Sequence, residues 1–62
     1  MSTLDDLADR LDTIGEELAD LALDRLRSAL EAEGAEAAAA EERRLTKARR
    51  RIVEAASILR RD

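Results

Sequence analysis

Leu30-Glu31-Ala32-Glu33-Gly34-Ala35-Glu36-Ala37-Ala38 is the stretch on which the architecture depends. The 62-residue chain has no Pro, and its two glycines are Gly15 and Gly34. Gly34 enters the left-handed conformation without a Cβ penalty, so it reads as the residue just past a helix C-terminus. Helix 1 is then expected to end near Glu33. A single continuous helix through Gly34 is the main alternative, since one interior Gly costs only about 1 kcal/mol. The hairpin is preferred because it lets the apolar stripes on either side of Gly34 cover each other. The expected fold is therefore all-α, one domain over residues 1–62. It is an antiparallel two-helix hairpin with helix 1 over about 4–33, a turn at Gly34 and helix 2 over about 36–61.

Upstream of Gly34, Thr3 with Asp6 three residues on reads as a cap, and Asp5, Asp6 and Asp9 suit the positive end of a helix dipole. Leu4, Leu7, Leu11, Ile14, Leu18 and Leu21 then recur at spacings of three and four, which places them on one stripe. The same register next reaches Arg25 and Ser28, while Ala19, Leu23, Leu26 and Leu30 open a second apolar shoulder about 100° further round. Arg25 has two readings. It is either a polar residue inside the seam that fixes partner and oligomeric state, or an edge residue that snorkels. Gly15 is expected to mark a close helix crossing rather than a kink, because the stripe passes it in register.

Downstream, Leu45, Ala48, Ile52, Ala55 and Leu59 form a narrow seam on helix 2. Ala38 and Ala56 lie alongside it, and Val53 and Ile58 fall to either side. The large aliphatic set is only ten Leu, three Ile and one Val, beside thirteen Ala. A lone hairpin of this size is expected to be marginal, and two hairpins pairing into a four-helix bundle would use the second shoulder of helix 1. Leu18, Leu21, Leu23, Leu26, Leu30, Leu45, Ile52 and Leu59 are the residues expected to carry that dimer interface.

Composition narrows the chemistry. His, Cys and aromatic residues are all absent. This removes the commonest general base, the thiolate nucleophile, nearly all transition-metal ligands and any disulfide staple. Acids stand near Met1 where a signal peptide carries bases, and no apolar run reaches the ~20 residues of a membrane span. A cytoplasmic location is expected, and the richness in Ala and Arg suggests a bacterial coding sequence of high GC content.

The net charge of −4 conceals a division: residues 1–33 carry ten acids and three bases, residues 34–62 five acids and eight bases. In an antiparallel hairpin Arg44 comes level with Asp24, Lys47 with Asp20, Arg51 with Glu17, and Arg60 with Ala8 and Asp9. Arg43, Lys47, Arg50 and Arg61 lie nearly opposite the helix 2 seam and form a basic ridge. Its plainest reading is a solvated face. As a binding surface, with Arg43, Lys47 and Arg50 as contact residues, it suits an acidic protein better than nucleic acid, because the chain is acidic overall and offers no aromatic ring to stack on a base.

Other chemistry is weaker. Glu16, Glu17, Asp20 and Asp24 lie one turn apart, as in the cation-binding clusters of all-helical nucleotide pyrophosphohydrolases, but they occupy the polar side of an amphipathic helix. Leu11 to Leu18 followed by Leu21 to Arg25 resembles the first helix of helical chorismate mutases. The likeness covers one helix only, and Ala8 stands where that family has a substrate-binding Arg. No phosphate loop, dinucleotide fingerprint or helix-turn-helix signature is present. The expected function is a non-enzymatic protein–protein interaction or adaptor module, a small homodimeric bundle without a cofactor or metal. The alternative is an antitoxin-like or nucleoid-associated regulator that binds nucleic acid through the ridge of helix 2.

Overall fold

The computed structural model describes residues 2–31 and 34–60, and it is an all-helical hairpin. Helix α1 spans Thr3–Ala29 and helix α2 spans Ala35–Arg60. They pack antiparallel along most of their length, giving a rod of 48 × 14 × 12 Å. A single helix through Gly34 is excluded.

The local signals hold with shifts of a residue or more. Ser2, rather than Thr3, caps α1: its backbone is extended and its Oγ accepts a hydrogen bond from the Asp5 N–H at 3.0 Å. Asp5 and Asp6 occupy the first turn, where carboxylates oppose the positive end of the dipole. At the other end α1 stops at Ala29, short of the expected Glu33, which lies outside the described residues with Ala32, as do Met1, Arg61 and Asp62. The Leu30 N–H bonds the Arg27 carbonyl at 3.1 Å and the Glu31 N–H bonds that of Ser28 at 3.0 Å, a tightening of the last turn that ends the α-helical ladder.

Gly34 does adopt the left-handed conformation, with φ 74°. Its place corrects the sequence expectation, however. It stands immediately before α2 rather than after α1, and its carbonyl accepts the Ala38 N–H at 2.9 Å, the first bond of the second helix. The reversed φ turns the chain into α2 after the connection has already left α1.

The packing between the helices is built on small residues. Ala8, Gly15, Ala22 and Ala29 recur every seven residues on α1 and turn toward α2. Ala8 (0% exposed) and Gly15 are buried, with Ala22 and Ala29 half-buried. On α2, Ala38 and Ala56 are buried, and Leu45, Ile52 and Leu59 are half-buried between the helices. A seven-residue recurrence of Ala and Gly lets two antiparallel backbones approach closely, and each half-buried Leu or Ile then packs over a small neighbour.

This packing turns the expected stripe. Of Leu4, Leu7, Leu11, Ile14, Leu18 and Leu21, only Leu11 and Leu18 are half-buried; the other four are exposed. Helix α2 lies to one side of that stripe, because it follows the small residues and not the large ones. On α2, Ala56 lies in the contact while Ala48 is exposed and Ala55 half-buried, and Val53 and Ile58 are exposed to either side as their positions implied.

Helix α1 runs through Gly15 without a break. A Cβ built there would lie 3.6 Å from Ile52 Cγ2 and 3.9 Å from Val53 Cγ2, ordinary van der Waals distances, so the glycine faces its partner helix without being required by the spacing. Two substitutions are therefore expected to act in opposite directions. Gly15→Ala should stabilise the hairpin by about 1 kcal/mol through helix propensity alone. Gly34→Ala should destabilise it by about 1 kcal/mol, since space is open there but the left-handed backbone disfavours a Cβ. Paired urea titrations read both signs.

Candidate interaction surfaces

The small-residue contact leaves nine large aliphatic side chains exposed among the described residues: Leu4, Leu7, Ile14, Leu21, Leu23, Leu26, Leu30, Val53 and Ile58. Among the described residues no large side chain is fully buried. The exposed set divides between the two faces of the flat hairpin. On the first face Leu7, Leu11 and Ile14 share a groove with Leu59, and Leu45 and Ala48 continue the α2 side beside Glu41 and Arg44. On the second, Leu23 and Leu26 meet Ala19, Ala22, Glu42, Thr46 and Arg49 in a groove close to the loop. Leu30, 84% exposed, extends this patch.

The eight residues expected to carry a dimer interface are thereby separated. Leu18, Leu45, Ile52 and Leu59 lie half-buried between the helices, and Leu21 is exposed on the first face. Leu23 and Leu26 stand on the opposite face, with Leu30 near the turn. One flat partner covers one of these sets. Leu4, Leu7 and Ile14 complete the first face. The signal that identifies them is the recurrence of Ala8, Gly15 and Ala22, which shows where α2 sits and so which apolar residues it leaves open.

Ion pairs stand near both ends of the hairpin. Arg60 Nη2 donates to Asp9 Oδ1 at 2.6 Å and to Asp12 Oδ2 at 2.7 Å. The bonds to Asp12 and then Asp9 raise the Arg60 pKa above the ordinary arginine value, so the guanidinium stays charged throughout the range in which proteins fold. Near the loop, Arg25 donates from Nη1 to Asp24 Oδ2 at 2.8 Å and from Nε to Glu41 Oε2 at 3.1 Å. Arg25 thus follows its second reading: it lies at the edge of the contact, half-buried, and reaches out to carboxylates.

Arg60 meets Asp9 at the expected level. The other three level pairs do not form. Arg51 lies 3.8 Å from Glu54 on its own helix, and among the described residues Arg44 and Lys47 have no carboxylate within 4.0 Å. The axial register agrees with expectation, as the approach of Gly15 to Ile52 shows, but Glu17 and Asp24 project from one outer edge of the hairpin and Arg51 and Arg44 from the other. Level charges on opposite edges do not touch.

The ridge residues Arg43, Lys47 and Arg50 are exposed along the outside of α2, in a shallow strip with Thr46, Arg51, Glu42 and Glu54. Arg61 lies outside the described residues. Thr46 Oγ1 donates to Glu42 Oε1 at 2.7 Å, which holds one carboxylate beside the strip. Glu16, Glu17, Asp20 and Asp24 are likewise exposed, Asp24 being engaged by Arg25. Among the described residues no three acidic side chains converge as a cation site, and no helix is long and apolar enough to cross a membrane.

No protein family, curated protein or solved structure matches the chain. Replacing Arg43, Lys47 and Arg50 together by Ala should leave the fold intact. Each position contributes within about 0.5 kcal/mol, because none reaches α1 and Ala is the strongest helix former. Circular dichroism and thermal melting check this, and a large loss of stability would show that the ridge is part of the fold.

Proposed function

We propose that this chain is a non-enzymatic interaction module, a helical hairpin that works as a homodimeric bundle in the cytoplasm. The observation that carries the reading is the exposure of nine of the fourteen Leu, Ile and Val side chains. A monomer that leaves most of its large aliphatics in water gains little hydrophobic stabilisation, and patches of this extent mark contact surfaces. Leu21, with Leu18, Leu45, Ile52 and Leu59 beneath it, supplies the self-association surface. Leu23, Leu26 and Leu30 remain for a further partner, and the ridge of Arg43, Lys47 and Arg50 favours an acidic one.

Sedimentation equilibrium over a concentration series tests the reading. The expected mass is twice 6.9 kDa, with a melting temperature that rises with concentration. A fully helical monomer at every concentration, melting at one temperature, would overturn it.

The exposure of Arg43, Lys47 and Arg50 on the outside of α2 favours one second reading, a nucleic-acid-binding regulator of antitoxin-like or nucleoid-associated type. It requires duplex binding at about 50 mM salt that falls steeply by about 200 mM as counterions compete, and that is lost in the triple Ala variant. No binding at low salt excludes it.

A further inference from the structure

We infer that a second copy of this chain docks on the Leu7/Ile14/Leu21 face with its two-fold axis parallel to the helices. Helix α1 of each copy then lies over α2 of the other, with both loops at the same end. The inference rests on the self-association reading and adds to it the face, the helix contacted and the orientation.

The direction of the apolar stripe selects the face. Because α2 follows Ala8, Gly15 and Ala22, Leu11 and Leu18 point between α2 and the open side, toward the centre of a four-helix bundle. Leu7, Ile14 and Leu21, each one residue and so about 100° from that small-residue line, point straight out of the open face, where a neighbouring helix of the bundle lies. The area agrees: the chain exposes 4924 Å², whereas a compact protein of this mass exposes about 4000 Å² and one side of a standard interface is about 800 Å². The opposite face is apolar chiefly near the loop, with Val53 alone exposed midway along it. Its other end carries Asp9, Asp12 and Arg60.

Three features select the orientation. First, the docking face carries exposed Leu7, Ile14 and Leu21 along α1, whereas on α2 Ala48 and Ala55 stand at its middle, with half-buried Leu45 and Leu59 beneath and Ile58 at its far edge. Laying α1 over α2 of the second copy sets large against small there. The arrangement with loops at opposite ends stacks α1 on α1 and α2 on α2, which overfills one side and leaves a gap on the other. Second, the stripe ends near the loop in the Arg25–Glu41 pair. Loops together place that pair beside its symmetry mate, whereas loops apart place Arg25 over the Leu7 end of the second copy, where Arg10 already lines the groove and repels it. Third, Glu17 and Asp24 on one outer edge come opposite Arg51 and Arg44 of the second copy. The level pairs that a single hairpin leaves apart then close between copies. Loops apart would bring Glu17 near its own mate and Arg51 near its own, which repel.

Charge reversal in the full chain reads this arrangement. Glu17→Arg should raise the dimer dissociation constant about tenfold, because two attractive contacts become repulsive, and adding Arg51→Glu should restore it. Both positions are exposed, so helicity is expected to be unchanged. In the loops-apart arrangement Glu17→Arg exchanges one like-charge contact for another and the double variant restores nothing. Mixed Glu17→Cys and Arg51→Cys chains treated with a short bismaleimide should link chiefly to each other. Preferential Glu17→Cys homodimers would overturn the orientation. Dissociation by Leu26→Asp but not by Ile14→Asp would overturn the face while leaving self-association intact, and a monomeric parent chain would overturn the underlying reading itself.

Discussion

The close approach of α1 and α2 through Ala8, Gly15, Ala22, Ala38 and Ala56 is the contact on which everything else in the molecule depends. Small side chains bring the backbones together, and the rotation of each helix about its own axis is set by where those residues lie. Once α1 is rotated to present them, its larger residues are carried off the helix–helix axis onto a flank. The two apolar faces, the two charged edges and the outward position of the basic ridge are all consequences of that one rotation.

Much of this was legible in the chain. The helix type, the reversal at Gly34, the axial register and the exposed positions of Val53 and Ile58 follow from periodicity and local conformational preference. The rotation was less legible. A stripe read by the size of Leu and Ile points along their mean direction, whereas two helices in close contact align on their smallest residues, which carry little weight in a hydrophobic pattern. Asp24 and Arg44 show the same division: sequence distance from the turn gives their common level, but which edge each occupies depends on the rotation. At α1's start Ser2 and Thr3 are both competent hydroxyl caps, and the extended backbone at Ser2 decides between them.

The interhelical ion pairs belong to opposite ends and opposite faces of the hairpin. Arg60 grips Asp9 and Asp12 far from the loop, and Arg25 grips Glu41 close to it. Each is open to solvent on its carboxylate side and adds little stability by itself. Together they oppose both axial sliding and rolling of one helix over the other. A small-residue contact, lacking deep interdigitation of long side chains, constrains these motions only weakly.

The thin interior ties the abundance of the chain to its integrity. With Ala8, Gly15, Ala38 and Ala56 as its most buried residues, the hairpin gains little hydrophobic stabilisation from its own interior, and in the proposed dimer the free energy of opening contains the logarithm of the chain's concentration. In the proposed dimer, a scarce chain spends a larger fraction of its time open and within reach of proteases, and an abundant one is protected by its own copies. Under the proposed pairing its turnover falls gradually as its concentration rises.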